Sequence, residues 1–264
     1  MENITSRNND KIKYAVSLKN SASARRKNGR FFLEGARLCA DAAKSGADIL
    51  QFFFTKKAAE KFSDYYGEII KKAGEAYIIS NEISSRLSDT ESPQGLFCVC
   101  SAVDKIVKAD KINSKGKYIL LENVQDPSNL GAAARTAEAL GIDGLIVSGG
   151  CDIYNPKALR ASMGAFFRLS VFECGDVCKF IGDIQKAGMR AAASTPSAKA
   201  QDITAADLSG GLVCIVGNEG AGVTPEVRAA SDFEVTIPMK GNAESLNAST
   251  AAAILMWEMV RRGD

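Results

Sequence analysis

The segment Leu212–Val223, LVCIVGNEGAGV, decides the fold class of the C-terminal half of this chain. Its first five residues are apolar, which is typical of a parallel strand covered by helices on both faces. Tyr118–Leu121, YILL, has the same character, and a helical pattern follows it. The two segments together predict an α/β domain with a mostly parallel sheet.

Strands and helices alternate through residues 118–264, which we predict to form one domain. The predicted strands are Tyr118–Glu122, Gly144–Ser148, Leu169–Glu173, Met189–Ser194, Leu212–Gly217 and Phe233–Ile237. The predicted helices are Ala132–Leu140, Pro156–Ser162, Val177–Ala187, Pro225–Ala230 and Leu246–Arg262. In sheets of this kind, ligands bind in loops beyond the carboxyl ends of the strands.

The loop between the first predicted strand and helix of this domain is rich in polar residues. Residues 123–131 are NVQDPSNLG, and Asp126, Ser128 and Asn129 are residue types that favour turns and helix caps. We expect Arg135 about one turn into the following alanine-rich helix, where a guanidinium can grip a phosphate in a fixed geometry. The alternative is a capped helix with one solvated arginine.

The glycine-dense turn after Val216 lacks the spacing of a dinucleotide-binding motif. A nicotinamide fingerprint needs GxGxxG at the start of a helix, whereas this turn reads GNEGAG. Glu219 would repel a pyrophosphate, but it could hold an amino or hydroxyl group of a ligand. The alternative is a turn in which the glycines are structural and Glu219 is surface charge.

A third polar loop lies between the last predicted strand and the last helix. Residues 237–250 are IPMKGNAESLNAST. Ser245 or Asn247 can cap the helix, which accounts for one polar residue but not for its polar neighbours. We expect the apolar residues of that helix to be packing residues: Ile254, Leu255, Trp257, Met259 and Val260.

Residues 1–101 predict a smaller α/β domain. Its predicted helices are Ala36–Lys44 and Lys56–Lys72, and its strands are Ile49–Thr55, Ala76–Ile79 and Leu96–Ser101. Residues 102–117 have little apolar periodicity and are interpreted as a linker.

Positive charge is concentrated at the N-terminus. The whole chain has a formal charge of only +2, whereas Met1–Arg30 holds eight basic residues against Glu2 and Asp10, a net of +6. Such a basic arm can neutralise the phosphates of a nucleic acid. The alternative is a solvated, mobile N-terminus.

Composition excludes several classes of protein. The chain has no histidine, which removes the Ser-His-Asp triad and the commonest zinc ligand, and we expect no metal. Seven cysteines without CxxC spacing indicate reduced thiols and a cytoplasmic location. No stretch approaches the roughly 18 apolar residues of a membrane span, so we expect no membrane partner.

Together the three polar loops resemble the motifs of the SpoU (TrmH-type) RNA 2′-O-ribose methyltransferases of the SPOUT superfamily. They appear in the family's order as NVQDPSNLGAAARTAEALG, IVGNEGAGV and IPMKGNAESLNASTAAAIL. Near the N-terminus, ITSRNNDKIKYAVSL, FFLEGARL and SPQGLFCV resemble the RNA-binding domain of the longer family members. The resemblance implies S-adenosylmethionine as cofactor, RNA as substrate, a trefoil knot and a homodimer formed through the methyltransferase domain.

The resemblance also implies roles for individual residues of this chain. Those matching the family's catalytic positions are Asn129, Arg135, Glu219, Ser245 and Asn247. Those matching the cofactor site are Gly217, Ile237 and Leu246, with Thr195 as a further candidate.

The sequence is compatible with more than one substrate and more than one function. Ribosomal RNA of the 23S type is the favoured substrate, because of the additional N-terminal domain, and transfer RNA is the alternative. A knotted enzyme that methylates a base, or an RNA-binding protein without catalysis, would have the same fold. The absent GxGxxG argues against a nicotinamide dehydrogenase.

Overall fold

The computed structural model describes residues 1–102 and 111–261, and these form two compact units. The first unit contains the described residues up to 102 together with residues 154–167. The second contains residues 111–153 and 168–261. Half of the predicted linker, residues 103–110, and Arg262 of the predicted last helix lie outside the described residues.

The first unit is built on a five-stranded mixed sheet. Its strands are β1 (Glu2–Ile4), β2 (Arg30–Glu34), β3 (Ile49–Phe54), β4 (Ala73–Ile79) and β5 (Leu96–Ser101). Its helices are α1 (Asp10–Asn20), α2 (Ala22–Asn28), α3 (Ala36–Lys44), α4 (Lys56–Lys61), α5 (Ser63–Ile70), α6 (Asn81–Leu87) and α8 (Pro156–Ala161). The strand order is β1-β4-β3-β5-β2, with β5 antiparallel to both of its neighbours.

The basic N-terminal segment is folded, so neither an extended arm nor a mobile terminus describes it. It forms β1, α1 and α2, and Gly29 ends α2 with a φ of 59°. Four of its eight basic residues form ion pairs, namely Arg7, Lys11, Lys13 and Lys19 with Glu82, Glu2, Asp10 and Asp89. Arg25 is buried and donates to the carbonyl oxygens of Leu18 and Lys19. Glu2 and Asp10 are already counted in the net charge of +6, so only Glu82 and Asp89 offset further charge and the segment stays basic.

Other differences in this unit are local. The predicted helix Lys56–Lys72 is two helices, because the chain leaves helical geometry at Phe62, which has φ −117° and ψ 43°. The helix α3 and the strand β5 have the predicted bounds.

The second unit has a seven-stranded sheet in which every pair of neighbouring strands is parallel. Its strands are β6 (Lys117–Glu122), β7 (Gly144–Ser148), β8 (Val171–Glu173), β9 (Arg190–Ser194), β10 (Gln201–Asp202), β11 (Leu212–Val216) and β12 (Phe233–Thr236). Its helices are α7 (Pro127–Leu140), α9 (Val177–Lys186), α10 (Pro225–Ala230) and α11 (Ala248–Arg261). The order is β10-β12-β9-β11-β6-β7-β8, so the α/β class with a parallel sheet is confirmed.

The apolar run Leu212–Val216 is the strand β11, in the middle of this sheet. All of its residues are buried, as expected for a strand covered on both faces. Val213 and Ile215 pack in one cluster with Phe180 and Ile184 of α9. The helices α11 and α7 pack against each other, and α11 also contacts β11 and β6.

Two predictions about helices in this unit are wrong. The helix α7 begins at Pro127 rather than Ala132, because Asp126 is its N-cap and accepts a hydrogen bond from the Ser128 amide at 2.8 Å. Trp257 was expected to pack, but it is 53% exposed, whereas Leu255 and Met259 are buried. Within residues 1–102 and 111–261, no helix is long and apolar enough to cross a membrane.

Candidate active site

A cavity of about 340 Å³ lies beyond the carboxyl ends of β9, β11 and β12 in the second unit. Its wall includes the turn after β11 and the loop between β12 and α11. All four residues assigned to the cofactor by resemblance line it, namely Thr195, Gly217, Ile237 and Leu246. Glu219 and Ser245 line it too. The volume lies at the lower end of the roughly 300–1,000 Å³ of ligand pockets.

The turn after β11 requires glycine at residue 217. A Cβ built on Gly217 would lie 2.0 Å from the carbonyl carbon of Gly222 and 2.1 Å from the amide nitrogen of Val223. Asn218 and Gly222 exchange backbone hydrogen bonds of 3.1 and 2.9 Å that close the turn. Gly217 therefore allows two backbone segments to touch while its own backbone faces the cavity.

Two side chains anchor this turn to the segment that follows β6. The buried carboxylate of Glu122 accepts hydrogen bonds from the amide and hydroxyl of Thr224, at 3.0 and 2.7 Å. The side-chain amide of Asn218 donates to the carbonyl oxygen of Asn123 at 2.9 Å. Both ends of the glycine turn are thus held against β6, which fixes one wall of the cavity.

A chain of hydrogen bonds joins the three polar loops. Asn129 is only 7% exposed, and its amide nitrogen donates to Glu219 Oε1 at 2.9 Å. Its amide oxygen accepts from Asn247 Nδ2 at 2.9 Å and from Ser249 Oγ at 3.4 Å. One residue from each loop, Asn129, Glu219 and Asn247, therefore meets in a single cluster, and every member has a defined orientation.

Glu219 is held as a carboxylate at the start of α7. Burial raises its pKa, but hydrogen bonds from Asn129 and from the backbone amides of Gln125 and Asp126 more than offset this, and the net pKa lies below the ordinary value. An anion is also stabilised at a helix N-terminus. Glu219 is therefore ionised at neutral pH and is a weaker base than an ordinary glutamate.

Arg135 takes no part in the hydrogen bonds of this cluster. Because α7 starts early, Arg135 is in the middle of the helix instead of in its first turns. Its side chain is exposed, and it makes no hydrogen bond or ion pair with any described residue. It is an unpaired cation on the outside of the helix that carries Asn129.

The two cap candidates of the third loop have different positions. Asn247 precedes α11, and its side-chain oxygen accepts hydrogen bonds from the amides of Ser249 and Thr250 at 2.9 and 3.3 Å. Asn247 is therefore the cap, and it also donates to Asn129. Ser245 lines the cavity instead.

Three residues at this site were not predicted from the sequence. Arg228 of α10 lines the cavity, Ser249 hydrogen-bonds both Asn129 and Asn247, and Glu122 holds the turn. A buried acid that ends an otherwise apolar strand is a signal that could have indicated Glu122. No comparable signal indicated Arg228, because its helix carries no functional motif. The described ranges contain no group of three or more cysteine, aspartate or glutamate residues able to hold a metal ion.

Comparison with known proteins agrees with this geometry. The family described as "SpoU rRNA Methylase family" matches residues 116–257, and the family described as "MRM3-like substrate binding domain" matches residues 9–98. The first match covers more than half of the chain, so the chain belongs to the SpoU rRNA methylase family.

Individual relatives align with nearly the whole chain. The 23S rRNA (guanosine(2553)-2′-O)-methyltransferase RlmP of Bacillus subtilis is 31% identical over 98% of this chain and 99% of its own length. The 23S rRNA (uridine(2479)-2′-O)-methyltransferase of Streptomyces viridochromogenes is 27% identical over 98% of this chain and 92% of its own length. Among solved structures, the SpoU methyltransferase AviRb of Streptomyces viridochromogenes, in complex with AdoMet, superposes with a TM-score of 0.86 at 25% identity. That superposition covers 97% of this chain and all of AviRb.

Proposed function

We propose that this chain transfers a methyl group from S-adenosylmethionine to a ribose 2′-hydroxyl of ribosomal RNA, with RNA of the large subunit as the favoured substrate. The observation that carries the proposal is the meeting of Asn129, Glu219 and Asn247 beside the cavity after β11. The relatives RlmP and the Streptomyces enzyme, both named as 23S rRNA 2′-O-methyltransferases, support the reaction and the substrate class.

The chemistry of the cavity fits S-adenosylmethionine. Apolar side chains such as those of Ile237 and Leu246 can pack against an adenine ring. Because Gly217 has no side chain, main-chain groups of the turn can come close enough to the cofactor to form hydrogen bonds. Thr195 and Ser245 provide hydroxyls on the same wall. When bound, the cofactor supplies a sulfonium methyl group that is already activated for transfer.

The residues of the chain then have to bind and orient the ribose. A 2′-hydroxyl is a poor nucleophile at neutral pH, so its placement in line with the methyl group supplies much of the rate. We assign that placement to Asn129, Glu219 and Asn247, with Ser245 on the cofactor side. The lowered pKa of Glu219 makes it a poor proton acceptor, which favours a positioning role.

We assign Arg135 to the RNA backbone. It is exposed and unpaired among the described residues, and a guanidinium binds phosphate through two parallel hydrogen bonds. A guanidinium rarely gives up its proton, so Arg135 is a poor candidate for a general base. In this assignment Arg135 fixes the phosphate next to the reacting ribose.

We also propose that the C-terminal segment forms a trefoil knot. The strand β12 pairs with β9 on one side of β11, whereas α11 contacts β6 and α7 on the other side. The segment between β12 and α11 therefore crosses the loops after β9 and β11. An experimental backbone trace without a knotted crossing would refute this.

We propose a homodimer formed through the methyltransferase domain. Ile254, Trp257 and Val260 are helically spaced on α11, and none of them is fully buried. Analytical ultracentrifugation should give a dimer for the natural chain and a monomer for Trp257→Glu. Dimers of unchanged stability in the variant would place the interface elsewhere.

The first unit would select the RNA. The side chains of Arg26 and Lys27 make no hydrogen bond or ion pair within residues 1–102 and 111–261, so both are available for phosphates. The proposed substrate is found in the cytoplasm, and all seven cysteines are free thiols, as expected in that compartment.

Two measurements test the proposal. Isothermal titration should detect S-adenosylmethionine binding to the purified protein, and no binding would favour an RNA-binding protein without catalysis. Nucleoside mass spectrometry of RNA methylated in vitro should find the new methyl group on ribose. A methyl group on a base would favour the related base-modifying enzymes, and modification of transfer RNA alone would favour the alternative substrate.

A further inference from the structure

The charged residues of the cavity wall lie on two opposite sides of the cavity. Of the described residues that line it, Arg228 is the sole cation and Glu219 the sole anion. The Arg228 NH2 group donates to Glu234 on β12 at 2.9 Å, whereas Glu219 accepts from amides that follow β6. Because β9 and β11 lie between β12 and β6, the positive and negative groups lie on opposite sides of the cavity.

Arg228 has guanidinium nitrogens that make no hydrogen bond to any described residue. Its contact with Glu234 uses one nitrogen, and no described residue accepts a hydrogen bond from the other two. One of these, Nε, is buried, and a buried donor without a partner costs free energy. The side chain is 37% exposed, so a ligand in the cavity can still reach the guanidinium.

We propose that Arg228 binds the carboxylate of the methionine part of S-adenosylmethionine. This inference rests on the proposed placement of the cofactor in this cavity. The carboxylate is the only anionic group of the cofactor, and a guanidinium nitrogen that Glu234 does not engage can donate a charge-assisted hydrogen bond to it. The sulfonium and ammonium groups are positive and are repelled by Arg228. Binding of the carboxylate at the β12 side leaves the methyl group on the side of Asn129 and Glu219.

Arg228 is then a binding residue that orients the cofactor rather than part of the cluster around Asn129. Arg228 lies on α10, outside all three motifs. The ion pair between Arg228 and Glu234 holds the guanidinium in place, so Glu234 is a positioning residue.

Decarboxylated S-adenosylmethionine tests the contact, since it differs from the cofactor by the carboxylate alone. By isothermal titration, the natural protein should bind the cofactor about ten- to a hundredfold more tightly than the decarboxylated form, as expected for a charged hydrogen bond. Arg228→Gln should bind both ligands with nearly equal, weak affinity. Glu234→Gln removes the negative charge but keeps an amide oxygen that can accept from the guanidinium, so it should retain the preference.

The outcomes separate this inference from the placement of the cofactor. If Arg228→Gln prefers the cofactor as strongly as the natural protein does, or weakens both ligands equally, Arg228 has a structural role and the inference is wrong. Leu246→Trp, which fills the cavity, tests the placement itself. If this variant still binds the cofactor normally, the cofactor lies elsewhere and the proposed site fails.

Discussion

Replacing Gly217 by alanine should abolish cofactor binding while the rest of the fold survives. The added Cβ would lie 2.0 Å from the Gly222 carbonyl carbon, and contacts under 3.0 Å essentially never occur, so the backbone must move by about 1 Å. Both clashing groups are backbone atoms, so no side-chain rotation relieves the contact. Forced overpacking of this kind costs about 1–3 kcal/mol.

The displaced backbone is itself the cavity wall, so binding should suffer more than stability. At about 2–4 °C per kcal/mol for a chain of this size, Tm should fall by several degrees. The Kd for S-adenosylmethionine should rise at least about a hundredfold, since a displacement of 1 Å disrupts several hydrogen bonds together. Differential scanning fluorimetry and isothermal titration measure the two effects separately.

Gly175 provides a control away from the cavity. A Cβ on Gly175 would meet no atom within 4 Å beyond its own chain neighbours. Gly175→Ala should therefore keep both Tm and Kd close to those of the natural chain. Normal cofactor binding by Gly217→Ala would refute the assignment of this turn to the cofactor.

Three further predictions concern RNA and protons. Arg135→Ala should leave the cofactor Kd unchanged and slow methyl transfer about ten- to a hundredfold, the usual value of a charged hydrogen bond; full activity would remove Arg135 from the site. Joint replacement of Arg26 and Lys27 by glutamine should lower the salt dependence of RNA binding by about two counterions in a filter-binding assay, and an unchanged salt slope would place the RNA elsewhere. Because the pKa of Glu219 is lowered in the fold, its stabilising effect is present above the ordinary value of 4.5 and is lost as the pH falls through the lowered pKa. The difference in Tm between the natural chain and Glu219→Gln should thus be constant from about pH 6 to 8 and vanish in acid, and a difference that changes near neutrality would contradict this sign.

The parallel sheet was predictable because its strands are continuously apolar. β11 and β7 each have residues buried on both faces, a pattern that depends on local sequence alone. The start of α7 was missed for a local reason as well. Pro127 at the first helical position and Asp126 as cap are start signals, and reading them as a loop moved the boundary by five residues.

Ion pairs between residues that are distant along the chain could not be predicted from the sequence. Lys19 and Asp89 form an ion pair across 70 positions, and no local pattern indicates such a pair. Two basic residues of the N-terminal segment, Arg7 and Lys19, are therefore paired with acids from elsewhere in the unit, which the sequence did not indicate. The exposure of Trp257 was missed for a related reason. Helical periodicity alone does not say which part of an apolar face a neighbouring helix covers.

The residues of the site show what could and what could not be predicted from the sequence. Loop motifs in the expected order predicted that Asn129, Glu219 and Asn247 would serve one site, and the structure places them in hydrogen-bond contact. Arg228 reaches the same cavity from α10 only through the folding of the sheet, so the sequence carried no sign of it.

Incubation of the purified protein with unmodified 23S-type RNA and methyl-labelled S-adenosylmethionine, followed by nucleoside mass spectrometry, shows whether the chain methylates ribose. We expect one 2′-O-methylated nucleoside that carries the label, and no label with Asn129→Ala under the same conditions. Label on a base, or equal labelling by the natural chain and the variant, would contradict it.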